Sequence, residues 1–187
     1  MALAGKAVTR VVHRCHEGQR SQVLDLSACT LKSFPDAVYF LLRNTRLLSC
    51  MLEQNQISRL PGKFFFNFDA LTVLNLRSNR LTSLPNEVIR MTDLKVLDIS
   101  NNRFTVFPTI ILTMPNLQTV IAEENEISDM DTEALSSAGS SLQEVNLCKN
   151  PLSQRLIVQL ERMHEAHQLS FTITYSSPSA DHFQGMD

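Results

Sequence analysis

Glycine is scarce, at five of 187 residues, and tryptophan is absent. No Gly-x-Ser-x-Gly elbow and no Walker or other glycine-rich phosphate loop can be traced, so the common loop-borne chemistries lack their scaffold. Long apolar runs are missing too. None approaches the roughly 18 residues that a membrane-crossing helix needs. The first twenty residues carry Lys6, Arg10, Arg14 and Arg20 with His13 and His16 between them, so no apolar secretory core is expected there. Cysteines number four (Cys15, Cys29, Cys50 and Cys148), widely spaced and unclustered. That spacing favours free thiols in a reducing, cytoplasmic setting, with the nucleus also open. A formal charge of -2 gives no global pull toward nucleic acid or anionic lipid. What remains is an ordinary soluble composition, 43% apolar and 19% charged. The length suits one domain that buries about 70% of its unfolded surface.

What the chain has in plenty is a repeat. Residues 71–85 read LTVLNLRSNRLTSLP, with Leu71, Leu74, Leu76, Leu81 and Leu84 as apolar beats and Asn79 fixed among them. The pattern recurs at 23–35, 50–61, 94–108, 117–130 and 142–152. The residues in the asparagine slot are Cys29, Asn55, Asn79, Asn102, Asn125 and Asn150, spaced 26, 24, 23, 23 and 25 apart. A near-constant period of this length predicts a solenoid with one coil per repeat. Each x-L-x-L core predicts a short strand whose leucines point inward while the intervening residues point outward. The turn after the strand strands backbone amides and carbonyls inside the coil. An asparagine side chain carries both donors and an acceptor, so it can satisfy them. The Leu-Pro pair then fixes φ and starts the next segment.

The repeats with their flanks, residues 1–175, resemble the cytosolic leucine-rich repeat proteins. The resemblance is carried by the six in-phase repeats, with LDLSACTLKSFP, VYFLLRN, LPGKFFFNF, ENEISD and NPL among the matching stretches. It implies an α/β fold: a right-handed leucine-rich repeat solenoid with a parallel β-sheet on the concave face and short helical or 3₁₀ segments on the convex face. It also implies that Cys29 is a structural substitute for asparagine. No catalytic residue comes with it, because the repeat is a folding motif.

Four regions follow. Residues 1–22 predict a helical N-terminal cap, with Val8, Val11, Val12 and Cys15 at helical spacing. Residues 23–152 hold the six repeats. Residues 153–175 predict a cap made of a helix, anchored by Leu156, Val158, Leu160 and Met163, and an alternating strand, LSFTITY. Residues 176–187 are small and polar and predict a disordered tail. On the convex side Phe64, Phe65 and Phe68, then Val88, Ile89 and Met91, then Ile111, Leu112 and Met114 are core-facing positions. Phe66 is one aromatic more than the template buries, and extra core in a slightly longer coil is the expectation over a surface hot spot.

Candidate sites are few. His13/His16 and His164/His167 are each spaced i, i+3, which could offer a metal two ligands. The pairs sit at opposite caps, about 24 Å apart over five strand steps. Solvated cap histidines are therefore expected, with no metal and no cofactor. Outward strand positions form columns on the concave sheet. Met51, Val73, Val96 and Ile121 could give an apolar strip there, rimmed by Glu53, Asn75, Arg77, Asp98 and Glu123. These are the candidate partner-binding residues, although β-branched residues also simply suit strands. Charge is uneven along the chain. Residues 43–103 hold nine basic and five acidic residues, whereas 104–150 hold seven acidic and one basic. In a solenoid this becomes a gradient along the axis, although the acidic run from Glu123 to Glu133 could equally be a solvated face. The function expected is that of a non-catalytic protein-interaction module or adaptor, monomeric, with an unidentified protein partner. The alternative is an RNA- or ribonucleoprotein-associated repeat protein using Arg77, Arg80 and Arg103.

Overall fold

A computed structural model describes residues 2–136 and 138–176. Seven three-residue strands form one parallel sheet in strict chain order. They are β1 (Val23–Asp25), β2 (Ser49–Met51), β3 (Val73–Asn75), β4 (Val96–Asp98), β5 (Thr119–Ile121), β6 (Glu144–Asn146) and β7 (Thr172–Thr174). The register is one repeat per step, Val23 beside Ser49, Val73, Val96, Thr119, Glu144 and Thr172 in turn. Because the middle residue of each strand points inward, Leu24, Cys50, Leu74, Leu97, Val120 and Val145 are all fully buried in one stack.

The other wall is made by short segments launched at Leu-Pro or Phe-Pro pairs. Pro35 and Pro61 precede α2 (Asp36–Leu41) and α3 (Gly62–Asn67), while Pro85 and Pro108 precede 3₁₀ turns at Asn86–Arg90 and Thr109–Thr113. Each proline sits at φ between -73° and -76°, its preset value. Phe34, Tyr39, Phe64 and Phe68 meet edge-on, tilted or stacked between the first two of these segments, with ring centroids 4.9–5.8 Å apart. The segment α4 (Thr132–Ser136) and the cap helix α5 (Gln154–Glu165) complete this side.

Three expectations about side-chain facing are corrected. Phe66 is not core: it is 52% exposed, because one turn of helix turns Phe64, Phe65 and Phe68 inward and leaves Phe66 on the far side. Arg90 of the next coil lies over its ring at 4.4 Å. Ile89 is likewise exposed, since the 3₁₀ turn aligns Val88 and Met91 inward, three apart. In α5 the fourth inward residue is Ile157; Val158 is only partly buried. The cap strand also does more than close the core. As β7 it pairs with β6 and adds a seventh coil, in which the Ser176 hydroxyl accepts the Lys149 amide at 3.0 Å. The rest of the expected tail, 177–187, lies outside the described residues.

The asparagines behave as a ladder. Asn79 Nδ2 donates to the carbonyls of Leu52, Leu76 and Arg77 at 2.9, 3.0 and 3.3 Å, and its Oδ1 accepts the Ile57 amide at 3.0 Å. Asn55, Asn102, Asn125 and Asn150 repeat this pattern one coil apart, each tying its own turn to the preceding coil. The residue before each slot (Ala28, Gln54, Ser78, Asn101, Glu124 and Lys149) takes a left-handed backbone, with φ between 50° and 57°. Its amide reaches the next coil, as from Gln54 to the Arg77 carbonyl at 3.0 Å.

The first slot holds Cys29, which has no preceding coil to tie. The cap helix α1 (Ala2–Ser21) takes over that role. Arg14 Nη1 donates to the Asp25 and Ser27 carbonyls at 3.1 and 2.7 Å, so the open edge of the first coil is satisfied by a side chain. Val11 and Cys15 of α1 are buried, and burial pushes the Cys15 thiol up to about 11, as befits an inert core residue. Val8, one turn earlier, is exposed, because α1 is about 30 Å long and outruns the coil it covers. Replacing Asn79 by alanine leaves several buried backbone groups without partners. It should cost on the order of 3 kcal/mol in urea unfolding, whereas Cys29→Ala should cost less than about 1 kcal/mol.

Candidate functional site on the inner sheet face

The outward residues of the strands form two regular columns. Val23, Ser49, Val73, Val96, Thr119 and Glu144 make the first, and Asp25, Met51, Asn75, Asp98, Ile121 and Asn146 the second. Val73 and Val96 are direct neighbours, while Met51 and Ile121 sit diagonally from them in the second column. All four are partly exposed. The strip is therefore a short zigzag across β2–β5.

The second column has a duty that its residue types announced and that the repeat pattern hid. Asp25, Asn75, Asp98 and Asn146 each accept, through Oδ1, the backbone amide two residues on, at 2.8–3.0 Å. These are Asx turns that bend the chain out of the strand. The Ser27 and Ser100 hydroxyls add bonds of 2.6 Å to Asp25 and Asp98. Asn75 and Asp98 are thus partly committed to the fold, which lowers their value as partner contacts. The signal was a D/N-x-S-like spacing in Asp25-Leu26-Ser27 and Asp98-Ile99-Ser100.

A third row follows the strands: Ser27, Glu53, Arg77, Ser100, Glu123 and Cys148. Hydrogen bonds from the neighbouring left-handed residues link it coil to coil, as from Ser78 to the Ser100 carbonyl and from Asn101 to the Glu123 carbonyl. Arg77 is exposed, and Glu53 is partly buried with its Oε2 shielded and without a hydrogen-bond partner among the described residues. Beyond the asparagines, Arg80, Arg103 and Glu126 occupy equivalent places, each donating its amide to the coil before. No ion pair joins Arg77, Arg80 or Arg103 to a carboxylate among the described residues. The acidic side differs. Lys149 Nζ bridges Glu123 and Glu124 at 2.9 and 2.7 Å. The hydrogen bond from Lys149 lowers the Glu124 carboxyl, and the two carboxylates raise Lys149 in return. Part of the acidic run is therefore neutralised within the chain.

The histidine pairs lie elsewhere. His13 faces Glu17 at 3.5 Å on exposed helix. His164 and His167 line the mouth of an open groove of about 890 Å³ beside β7, with Gln118, Ser141 and Phe171. His167 Nδ1 bonds the Glu165 carbonyl at 3.0 Å. Sequence reasoning missed this groove because the fold alone brings α5, β7 and the loop around residues 140–143 together. Among the described residues no group of three or more His, Cys, Asp or Glu could hold a metal ion. No helix among them is long and apolar enough to cross a membrane. All four cysteines are unpaired.

Comparison with known proteins places this geometry. Residues 45–104 and 69–127 match the Leucine rich repeat family model. The chain is 39% identical over 95 residues to leucine-rich repeat-containing protein 20 of Homo sapiens, covering 49% of this chain and 52% of that protein. It is 37% identical over 98 residues to leucine-rich repeat-containing protein 7 of Rattus norvegicus, covering 51% of this chain and 6% of that protein. The match thus spans about half the length of the first and a small part of the second. Two solved structures share the fold. The leucine-rich repeat domain of APL1B has a TM-score of 0.59 at 22% identity, over 80% of this chain and 43% of that one. A Shigella effector LRR domain has a TM-score of 0.52 at 18% identity, over 90% and 88%.

The pH response of the first coil follows from its contacts. Burial alone would raise the Asp25 carboxyl, but the Ser27 hydroxyl and amide and the Arg14 guanidinium outweigh it and hold the group below its ordinary value. A depressed carboxyl stabilises the fold above its unfolded-state value, and that contribution disappears as pH falls through the lowered one. Stability measured by denaturant titration should therefore drop below about pH 4, and Asp25→Asn should flatten that drop while lowering stability at neutral pH.

Proposed function

We propose that this leucine-rich repeat protein is a non-catalytic protein-interaction module that receives its partner on the inner face of the sheet. The observation that carries the reading is the zigzag of Met51, Val73, Val96 and Ile121. Four apolar side chains stay partly exposed at the centre of a face whose other outward strand positions, apart from Val23 at its first strand, are polar. Parallel strands in fixed register present them on a stiff backbone, so a partner orders few groups on binding. An apolar centre with a polar rim is the usual anatomy of a protein interface. The rim here is Glu53, Arg77 and Glu123, with Asn75 and Asp98 contributing what their turn bonds leave free. Solenoids as a class use such extended inner surfaces for recognition.

The nucleic-acid reading rests on Arg77, Arg80 and Arg103 alone. Base stacking needs aromatic faces beside the arginines, and the exposed aromatics Phe40 and Phe66 belong to α2 and α3 on the opposite wall. A reducing, cytoplasmic setting fits the four unpaired thiols of the proposed module.

Affinity capture from cell lysate tests the reading, with wild type set against a Val73→Arg, Ile121→Arg double variant. Both sites are partly exposed, so the variant should keep a cooperative melt while losing its specific partners by at least about tenfold in recovery, the loss expected of a central hot spot. Recovery of the same partners by both proteins would sink the inner-face assignment.

A further inference from the structure

The two ends of the sheet are treated differently. At the first, α1 covers β1, and its Arg14 closes the Asp25 and Ser27 carbonyls. At the last, β7 has β6 on one side and no further strand on the other among the described residues. The Thr172 amide donates to the Gln143 carbonyl, and the Thr174 carbonyl accepts the Leu147 amide, so both threonines turn their backbone toward β6. Alternation along a parallel strand then aims the Ile173 amide and carbonyl the other way. The Phe171 carbonyl and the Tyr175 amide hold the places, one coil on, from which Gln143 and Leu147 bond β7. Four backbone groups thus form an open row along the edge, none with a hydrogen-bond partner among the described residues.

Beside this edge, α5 and β7 leave a groove of about 280 Å³. Leu169, Ile173 and Tyr175 line it and stay partly exposed while packing on the core. Its charged side comes from Glu161 and Glu165, one turn apart on α5 and both exposed. Neither carboxylate has an ion-pair partner among the described residues. Burial pushes the Tyr175 hydroxyl above its ordinary value and the Glu161 carboxylate adds to the rise, so acid and apolar lining adjoin. His164 shares the lining, whereas Arg155 and Arg162 of the same helix do not.

We infer that the β7 edge takes up an extended, basic segment of a partner protein as an eighth strand. Main-chain bonds to Phe171, Ile173 and Tyr175 hold it, as in other cases of strand addition. Side chains alternate, so every second residue of the added strand turns inward, as Leu24, Leu74 and Val145 do in theirs. An apolar residue at such a position covers Ile173, and a lysine or arginine two places away reaches Glu161 or Glu165. Charge disfavours the two other occupants. Residues 177–187 of this chain carry Asp181 and Asp187 and neither lysine nor arginine. A second copy joined edge to edge brings Glu161 and Glu165 up to their own counterparts. The site lies at the end of the solenoid and is separate from the inner face.

The test is an NMR titration of the isotope-labelled full chain with the peptide TKTVTKT and with its counterpart carrying glutamate for both lysines. The peptide reads the same in both directions, so strand orientation does not bias the result. The lysine peptide is expected to shift the Ile173 and Tyr175 amide signals, slow their hydrogen exchange, and bind at least about tenfold more tightly than the glutamate peptide. The exposed pair Glu161→Lys, Glu165→Lys is expected to reverse that preference. Ile173→Pro removes the outward donor without removing a bond to β6, and should abolish binding of the lysine peptide. Should the proline disturb β7 in a melting curve, the charge reversal still decides. No shift with either peptide, or equal binding of both, would overturn the inference. Slow exchange of the Ile173 and Tyr175 amides in the free chain would overturn it too. At every concentration that result assigns the edge to residues 177–187, and at high concentration alone to a second copy. The Val73→Arg, Ile121→Arg variant should bind the peptide like wild type, so this inference and the inner-face reading fail separately.

Discussion

The structure depends on how buried turns satisfy their backbone. Each coil must leave its strand sharply enough to begin the return path, and the turn drags peptide groups into an apolar interior. An unpaired amide or carbonyl there costs on the order of 1–3 kcal/mol, which would accumulate with every repeat. One asparagine per coil removes the problem. Its amide donates to carbonyls of its own coil and of the coil before, and its oxygen takes an amide from that earlier coil. The same side chain therefore shapes a turn and joins two repeats. Stacking is built into the element that makes each repeat possible.

This dependence explains the ends. The first coil has no predecessor, so asparagine would have nothing to tie on that side, and Cys29 suffices. The carbonyls left open there are closed by Arg14 from α1. The last full repeat keeps Asn150, and its left-handed Lys149 finds the Ser176 hydroxyl in the seventh coil instead of another repeat. Caps are thus answers to specific unpaired groups as well as covers for apolar surface. The left-handed residues belong to the same scheme. They are not glycines, and each accepts a φ of 50–57° so that its amide can reach the next coil.

Function uses what the ladder leaves over. With leucines inside and asparagines occupied, only the outward columns and the rim are free to vary. Even there the fold claims a share, since Asp25, Asn75, Asp98 and Asn146 spend an oxygen on Asx turns. Among the side chains without such a duty are the zigzag of Met51, Val73, Val96 and Ile121, the arginines of coils three and four, and Glu126. The proposed interface draws on these. Its two halves differ electrically because Lys149 bridges Glu123 and Glu124 on the acidic side, while among the described residues no ion pair holds Arg77, Arg80 or Arg103.

The period, the strand cores and the asparagine slots were legible in the residues, because they rest on local rules: alternation in strands, fixed φ at proline, and the donor and acceptor inventory of one side chain. The columns were legible as well, since a constant repeat fixes which residues must lie side by side. Facing within one-turn segments was not. Phe66 and Ile89 look like core by composition, and only the placement of a single helical or 3₁₀ turn against its neighbours turns them outward. Nor could sequence show that Arg14 reaches the carbonyls of Asp25 and Ser27, that Lys149 clamps Glu123 and Glu124, or that a groove opens beside β7. Those are contacts between residues far apart in the chain. The repeat decided the scaffold, and the tertiary packing decided which of its outward side chains are spent and which are free.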